Sequence, residues 1–186
     1  MAIKDIFLPL VGEPDAAAVA AIDKCVAVAG DLGVRVTAMA VEEDVLVRPQ
    51  VVISDDLDNT AAVEAVRSVT DARGLLKAFD AAATRFGLRN EQRLSRLAAS
   101  DIPGNLAAAA RLHDLSLVPV KADGDRSEKI VERLIFESGR PILMCPEELA
   151  SELPVAVIAL FAMAAIIACR DNRRALLVIH GMVGAG

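Results

Sequence analysis

At 186 residues the chain is sized for one domain, or for one domain and a fragment. Hydrophobic residues make up 54 % of it, Trp and Tyr are absent, and the formal net charge is −6. That balance excludes the basic footprint of a nucleic-acid binder, and an aromatic content of 3 % excludes a base-stacking platform. The three cysteines, Cys25, Cys145 and Cys169, each lie in an apolar run without CxxC spacing. They read as small hydrophobes in a reducing compartment, which predicts a cytoplasmic protein. The N-terminus enters a strand with an acid at Asp5 and is not a signal peptide.

In chain order, Ile6–Val11 is a short apolar run ending at Gly12-Glu13-Pro14. Asp15 is placed to cap a helix whose buried stripe is Val19, Ile22, Val26 and Ala29, with Gly30 and Gly33 at its end. A second apolar strand, Val34–Val41, closes on Glu42-Glu43-Asp44. Residues 45–59 read as an irregular connection. A long helix follows, capped by Asn59 or Thr60, with the stripe Ala62, Val66, Val69, Ala72, Leu76, Phe79, Ala83 and Phe86. Its interior Gly74 runs against helix propensity. Glu91–Leu97 is a charged strand suited to an edge, and Ser100-Asp101-Ile102-Pro103 opens a helix running to about His113. Leu115–Val120 has the composition of a central strand. Ser127 caps a last helix buried through Ile130, Val131, Leu134 and Ile135, and Pro141 opens a final strand, Ile142–Cys145. Short buried strands alternating with helices predict a parallel sheet covered on both faces, with ligands beyond the carboxyl ends of its strands.

The opening Ile3-Lys4-Asp5-Ile6-Phe7-Leu8-Pro9-Leu10 resembles the first strand of universal stress proteins, and Ala38-Met39-Ala40-Val41 resembles the end of their second. Asp114–Val118 and Phe136–Leu143 resemble the closing strand–helix–strand of a proteobacterial branch whose members often carry two domains in tandem. The resemblance covers residues 1–146. It implies a five-stranded parallel sheet of order 3-2-1-4-5 with helices on both faces, a Rossmann-like fold of the adenine nucleotide alpha hydrolase type. It also implies a homodimer through the Pro141–Cys145 edge strand. By the same resemblance, the nucleotide crevice is lined by Val11, Gly12, Ala40, Val41, Val120, Gly124 and Ser127.

The nucleotide-binding pattern of that family is an Asp ending the first strand, then Gly-x-x-Gly, nine residues and Gly-Ser or Gly-Thr after the fourth. This sequence departs from it throughout. Val11 holds the Asp position, and Glu13 stands where Ser is common. After the fourth strand only Gly124 appears, between Asp123 and Asp125, and Glu128-Lys129 falls where Gly-Ser is expected. Acids at the phosphate position oppose an anion, so the expectation is a degenerate site with no ATP cofactor. An ATP- or AMP-binding member with an atypical site is the alternative.

Residues 147–186 fall outside the first sheet and read as a truncated or divergent second-domain fragment of strand–helix–strand form, or as a hydrophobic tail. Pro154–Cys169 is sixteen residues without a charge. As a helix it would span about 24 Å at roughly 1.5 Å per residue, short of the ~30 Å of a bilayer core. A membrane-attached sensor is therefore a third, less favoured reading. Gly181-Met182-Val183-Gly184-Ala185-Gly186 has no helix after it and reads as a flexible end rather than a phosphate loop. His113 and His180 read as structural or solvated. No metal-ligand spacing occurs, Ser54-Asp55-Asp56-Leu57-Asp58 reads as a solvated helix-entry loop, and no catalytic constellation is present. The combined expectation is a non-catalytic stress-response module acting through dimerisation and protein contacts.

Overall fold

The computed structural model describes residues 3–44, 55–120 and 125–146. The connection at 45–54, the Lys121–Gly124 segment and the whole of 147–186 lie outside the described residues, and the readings made for them are not addressed by it. The elements are β1 (Asp5–Leu10), α1 (Ala16–Leu32), β2 (Arg35–Glu43), α2 (Asp55–Arg85), β3 (Asn90–Leu97), α3 (Ile102–Ala110), β4 (Leu115–Val120), α4 (Asp125–Glu137) and β5 (Ile142–Pro146). All sheet neighbours are parallel, in the order β3-β2-β1-β4-β5. The expected fold is the observed one.

The centre of the sheet is buried on both sides because β1, β2 and β4 are apolar at successive positions, not only at alternate ones, whereas the edge strand β3 is polar and largely exposed. Ile6, Leu8 and Leu10 of β1 point into a core with Ile22, Val26 and Phe79, while Phe7 points the other way, to Ile102, Leu106 and Leu134. Thus α1 and α2 cover one face, and α3 and α4 pack together over the other. The chain reverses its direction of travel across the sheet between β1 and β4. Such a reversal opens a crevice at the carboxyl ends of the strands.

Local sequence accounts for most boundaries. Asp15 caps α1, its side chain accepting the Ala18 N–H at 2.8 Å, and Gly33 ends the helix with its N–H donating to the Gly30 carbonyl. The edge strand β3 is paired through β2 and carries Glu91 and Arg93 as an ion pair.

Three boundaries differ from expectation. Helix α2 begins at Asp55, not near Asn59 or Thr60, so the acidic run is its first turn. Acids complement the dipole there just as they do in a preceding loop, so sequence cannot separate the two. Val66 is not in the buried stripe but 67 % exposed, because it stands about 200° round the helix from Ser68, which faces the sheet. Phe86 is likewise exposed, while Ala72, Leu75, Phe79, Ala82 and Ala83 form the buried line. Helix α3 stops at Ala110, so His113 is not a helix-end residue but sits in the turn before β4. Finally, α4 begins at Asp125, which places Ser127 in its first turn and not at the cap.

Candidate functional site

A cleft of about 280 Å³ opens at the carboxyl ends of β1 and β2. Val11, Gly12 and Glu13, following β1, form one wall, with Val41 and Glu43 of β2 and Ile102 of α3. The opposite wall is the N-terminal half of α2, contributing Glu64, Arg67, Ser68 and Asp71. Helix α2 is joined to the sheet end by the Glu43 N–H, which donates to Ser68 Oγ at 2.6 Å. It is joined to the loop after β1 by Gly74, whose missing side chain leaves room for the Pro14 ring. A Cβ at position 74 would lie 2.8 Å from Pro14 Cγ.

Of the positions expected to line a crevice, Val11, Gly12 and Val41 meet in this cleft. Ala40 does not, since successive strand residues face opposite ways and it is buried in the core under α1 and α2. Val120, at the end of β4, and Ser127, in the first turn of α4, are half-buried outside its lining. Gly124 lies outside the described residues.

The electrostatics are lopsided. Among the described residues the lining carries Glu13, Glu43, Glu64 and Asp71 against the single guanidinium of Arg67. Arg67 is itself engaged: Nη2 pairs with Glu13 Oε1, and Nε stands 3.7 Å from Asp71 Oδ2. Beside the cleft, Asp44 and Glu42 share Arg96 at 2.8 and 3.9 Å. A phosphate entering the cleft would face carboxylates, and the arginine that would receive it is already paired. Among the described residues no three His, Cys, Asp or Glu side chains converge as a metal-binding group. Nor does any described helix have the length and apolarity to cross a membrane.

A second polar cluster occupies the opposite, N-terminal end of the sheet. Asp5 Oδ2 accepts from Arg35 Nη2 at 2.7 Å and lies 3.0 Å from His113 Nδ1. That imidazole contact is out of line for a hydrogen bond, and His113, 5 % exposed, is held by stacking on Phe7 at 5.3 Å between ring centroids. Asp114 Oδ2 accepts the backbone N–H groups of Lys4 and Asp5 at 2.9 and 3.2 Å. Burial would raise the Asp5 pKa, but the Arg35 hydrogen bond and the His113 charge outweigh it and hold the carboxyl below its ordinary value. This cluster ties β1, β2 and β4 together where they begin. His113 is enclosed there, at the end of the sheet away from the cleft.

No family model and no curated protein matches the chain. Solved structures do. A universal stress protein from Lactobacillus plantarum superposes with a TM-score of 0.53 at 15 % identity, over 78 % of this chain and 99 % of that one. A universal stress protein in complex with cAMP gives 0.51 at 13 %, over 80 % and 100 %. A third, from Archaeoglobus fulgidus in complex with dAMP, gives 0.50 at 11 %, over 77 % and 98 %. The chain has the universal stress protein fold.

Proposed function

We propose that this chain is a non-catalytic module of the universal stress protein type, acting in stress response through dimerisation and protein contacts, with a crevice closed to adenine nucleotides. The observation that carries the reading is the charge of the cleft. Two proteins of this fold are described in complex with cAMP and dAMP. The cleft at the carboxyl end of this sheet presents four carboxylates and one arginine already paired with two of them. Like charge gathered along a concave site repels anions before contact, most strongly at low salt because Glu13 and Glu64 are exposed. The lining also lacks, among the described residues, a nucleophile paired with a base. Its one hydroxyl, Ser68 Oγ, receives the Glu43 N–H.

On this reading residues 1–146 are the module and 147–186 a separate fragment, the protein works in the cytoplasm, and two copies join through β5. Support for the last point is that β5 is paired, among the described residues, along its β4 side only. An unprotected strand edge recruits another strand. The competing reading, a nucleotide site of atypical make-up, is favoured by one feature: Arg67 is a ready phosphate partner once Glu13 releases it. Calorimetric titration with ATP and AMP separates the two. The expected result is no binding tighter than about 1 mM, or roughly −4 kcal/mol; micromolar binding of either nucleotide overturns the proposal.

A further inference from the structure

Cys25 and Cys145 are 120 residues apart in sequence but occupy the same buried core. Cys25 lies in the middle of α1 on its sheet-facing stripe, with Ile22 and Val26 as buried neighbours. Cys145 lies in β5 with its side chain turned to the same face as Leu143. Helix α1 rests directly on β5, with Cα atoms of the two elements within 8 Å. Both thiols are free and buried. They are neighbours there, on the faces that α1 and β5 turn to one core, and the nearness of Cys145 together with burial pushes the Cys25 thiol well above its ordinary range. Placing two Cys near each other in a core built otherwise of aliphatic residues and Phe79 is not required for packing. Ala or Val would fill either position without an oxidisable atom.

We propose that Cys25 and Cys145 form a redox-sensitive dithiol that a hydroperoxide converts into a disulfide, fastening the edge strand β5 to α1. The chemistry needs one oxidant equivalent. A hydroperoxide oxidises the Cys145 thiol to a sulfenic acid and leaves as water or alcohol. The Cys25 sulfur then attacks the sulfenic sulfur, the S–S bond forms, the S–O bond breaks, and a second water departs with the Cys25 proton. Cys145 is the entry point because its strand is at the sheet edge, where local opening is cheapest, whereas Cys25 is fully enclosed by helix and sheet. The rate is therefore set by opening of β5 rather than by thiolate content, which makes the site slow but selective. Once formed, the bridge closes a long loop and holds β5, the strand proposed above to join two copies. This inference is independent of the nucleotide question, since both sulfurs lie in the core under α1 and outside the cleft lining.

The test uses the full chain. Folded protein is exposed to hydrogen peroxide, free thiols are blocked, and non-reducing peptide mapping by mass spectrometry locates every bond. The expected product is a peptide pair joining Cys25 to Cys145, with loss of two hydrogens, reversible by dithiothreitol. In the same sample the urea midpoint should rise on oxidation and fall back on reduction, a readout that needs no variant. Cys145→Ser, and separately Cys25→Ala, should each abolish the linked pair. Three results overturn the proposal. One is thiols that stay free in the folded protein at a dose that links them after denaturation. Another is a bond that recruits Cys169 in place of either partner. The third is Cys145 proceeding to sulfinic acid while Cys25 stays reduced.

Discussion

Gly74 shows how one missing side chain positions an entire wall of the cleft. In a helix interior Ala is favoured over Gly by about 1 kcal/mol, so a helix-propensity argument alone predicts that Gly74→Ala stabilises. The packing predicts the reverse, because the added Cβ would press 2.8 Å from the Pro14 ring, and a proline ring cannot rotate aside. Overpacking of this sort costs about 1–3 kcal/mol, so a net loss of roughly 1 kcal/mol should appear as a lower urea midpoint; a higher midpoint would show that the loop after β1 yields freely. Asp5 makes a second prediction, through pH. Its folded pKa lies below the ordinary 3.8. The stabilisation it brings is therefore complete above that value and is lost as pH falls through the folded pKa. Asp5→Asn should lower stability at pH 7 and flatten the acid limb of the stability profile below about pH 4, measured as urea midpoints across a pH series. The Asp5–His113 contact was not legible in sequence as a pair, the two standing 108 positions apart. It becomes legible from the strand order: Asp5 begins β1, His113-Asp114 precede β4, and β1 and β4 are neighbours.

At the level of elements, β1, β2, β4 and β5 were the most legible features, because short, largely apolar runs bounded by Gly, Pro or charge have few other uses, whereas the charged β3 gave a weaker signal. The start of α2 was not, since Asp, Asn and Thr serve equally in a loop and in a first turn. The second wall of the cleft was missed for a related reason. Reading α2 as one apolar stripe passed over Ser68 and Asp71, which stand four residues before the buried Ala72 and Leu75 and so share their face. Polar residues interrupting an inward face are the signal that a helix has left the core and begun to line a site. Helix α1, by contrast, was legible at both ends. Its cap gives a clean test: Asp15→Ala removes the acceptor for the Ala18 N–H and should cost about 1 kcal/mol in a urea titration, with Asp15→Ser recovering most of it.

For the whole molecule, a doubly wound sheet supplies the crevice and the residues around it decide what enters. Here the same fold that appears elsewhere with cAMP and dAMP carries a carboxylate-rich rim. Fold alone does not transfer a ligand. The edge of β5, paired among the described residues along its β4 side only, makes the prediction for assembly. Met144 is half-buried, on the side of the strand toward α3 and α4. Met144→Lys should weaken self-association and lower solubility, read by light scattering against concentration; a monomeric parent that the substitution leaves unchanged and soluble would remove β5 as the interface. The sharpest test of the closed crevice is calorimetric titration of ATP, at low salt, into the wild-type chain and into the Glu13→Gln/Glu64→Gln variant side by side. If the carboxylates are what exclude the nucleotide, the wild type gives no binding up to about 1 mM, and the variant, with Arg67 released from Glu13, binds at least about tenfold more tightly, a difference of roughly 1.4 kcal/mol. Micromolar binding by the wild type, or a variant as inert as its parent, would contradict it.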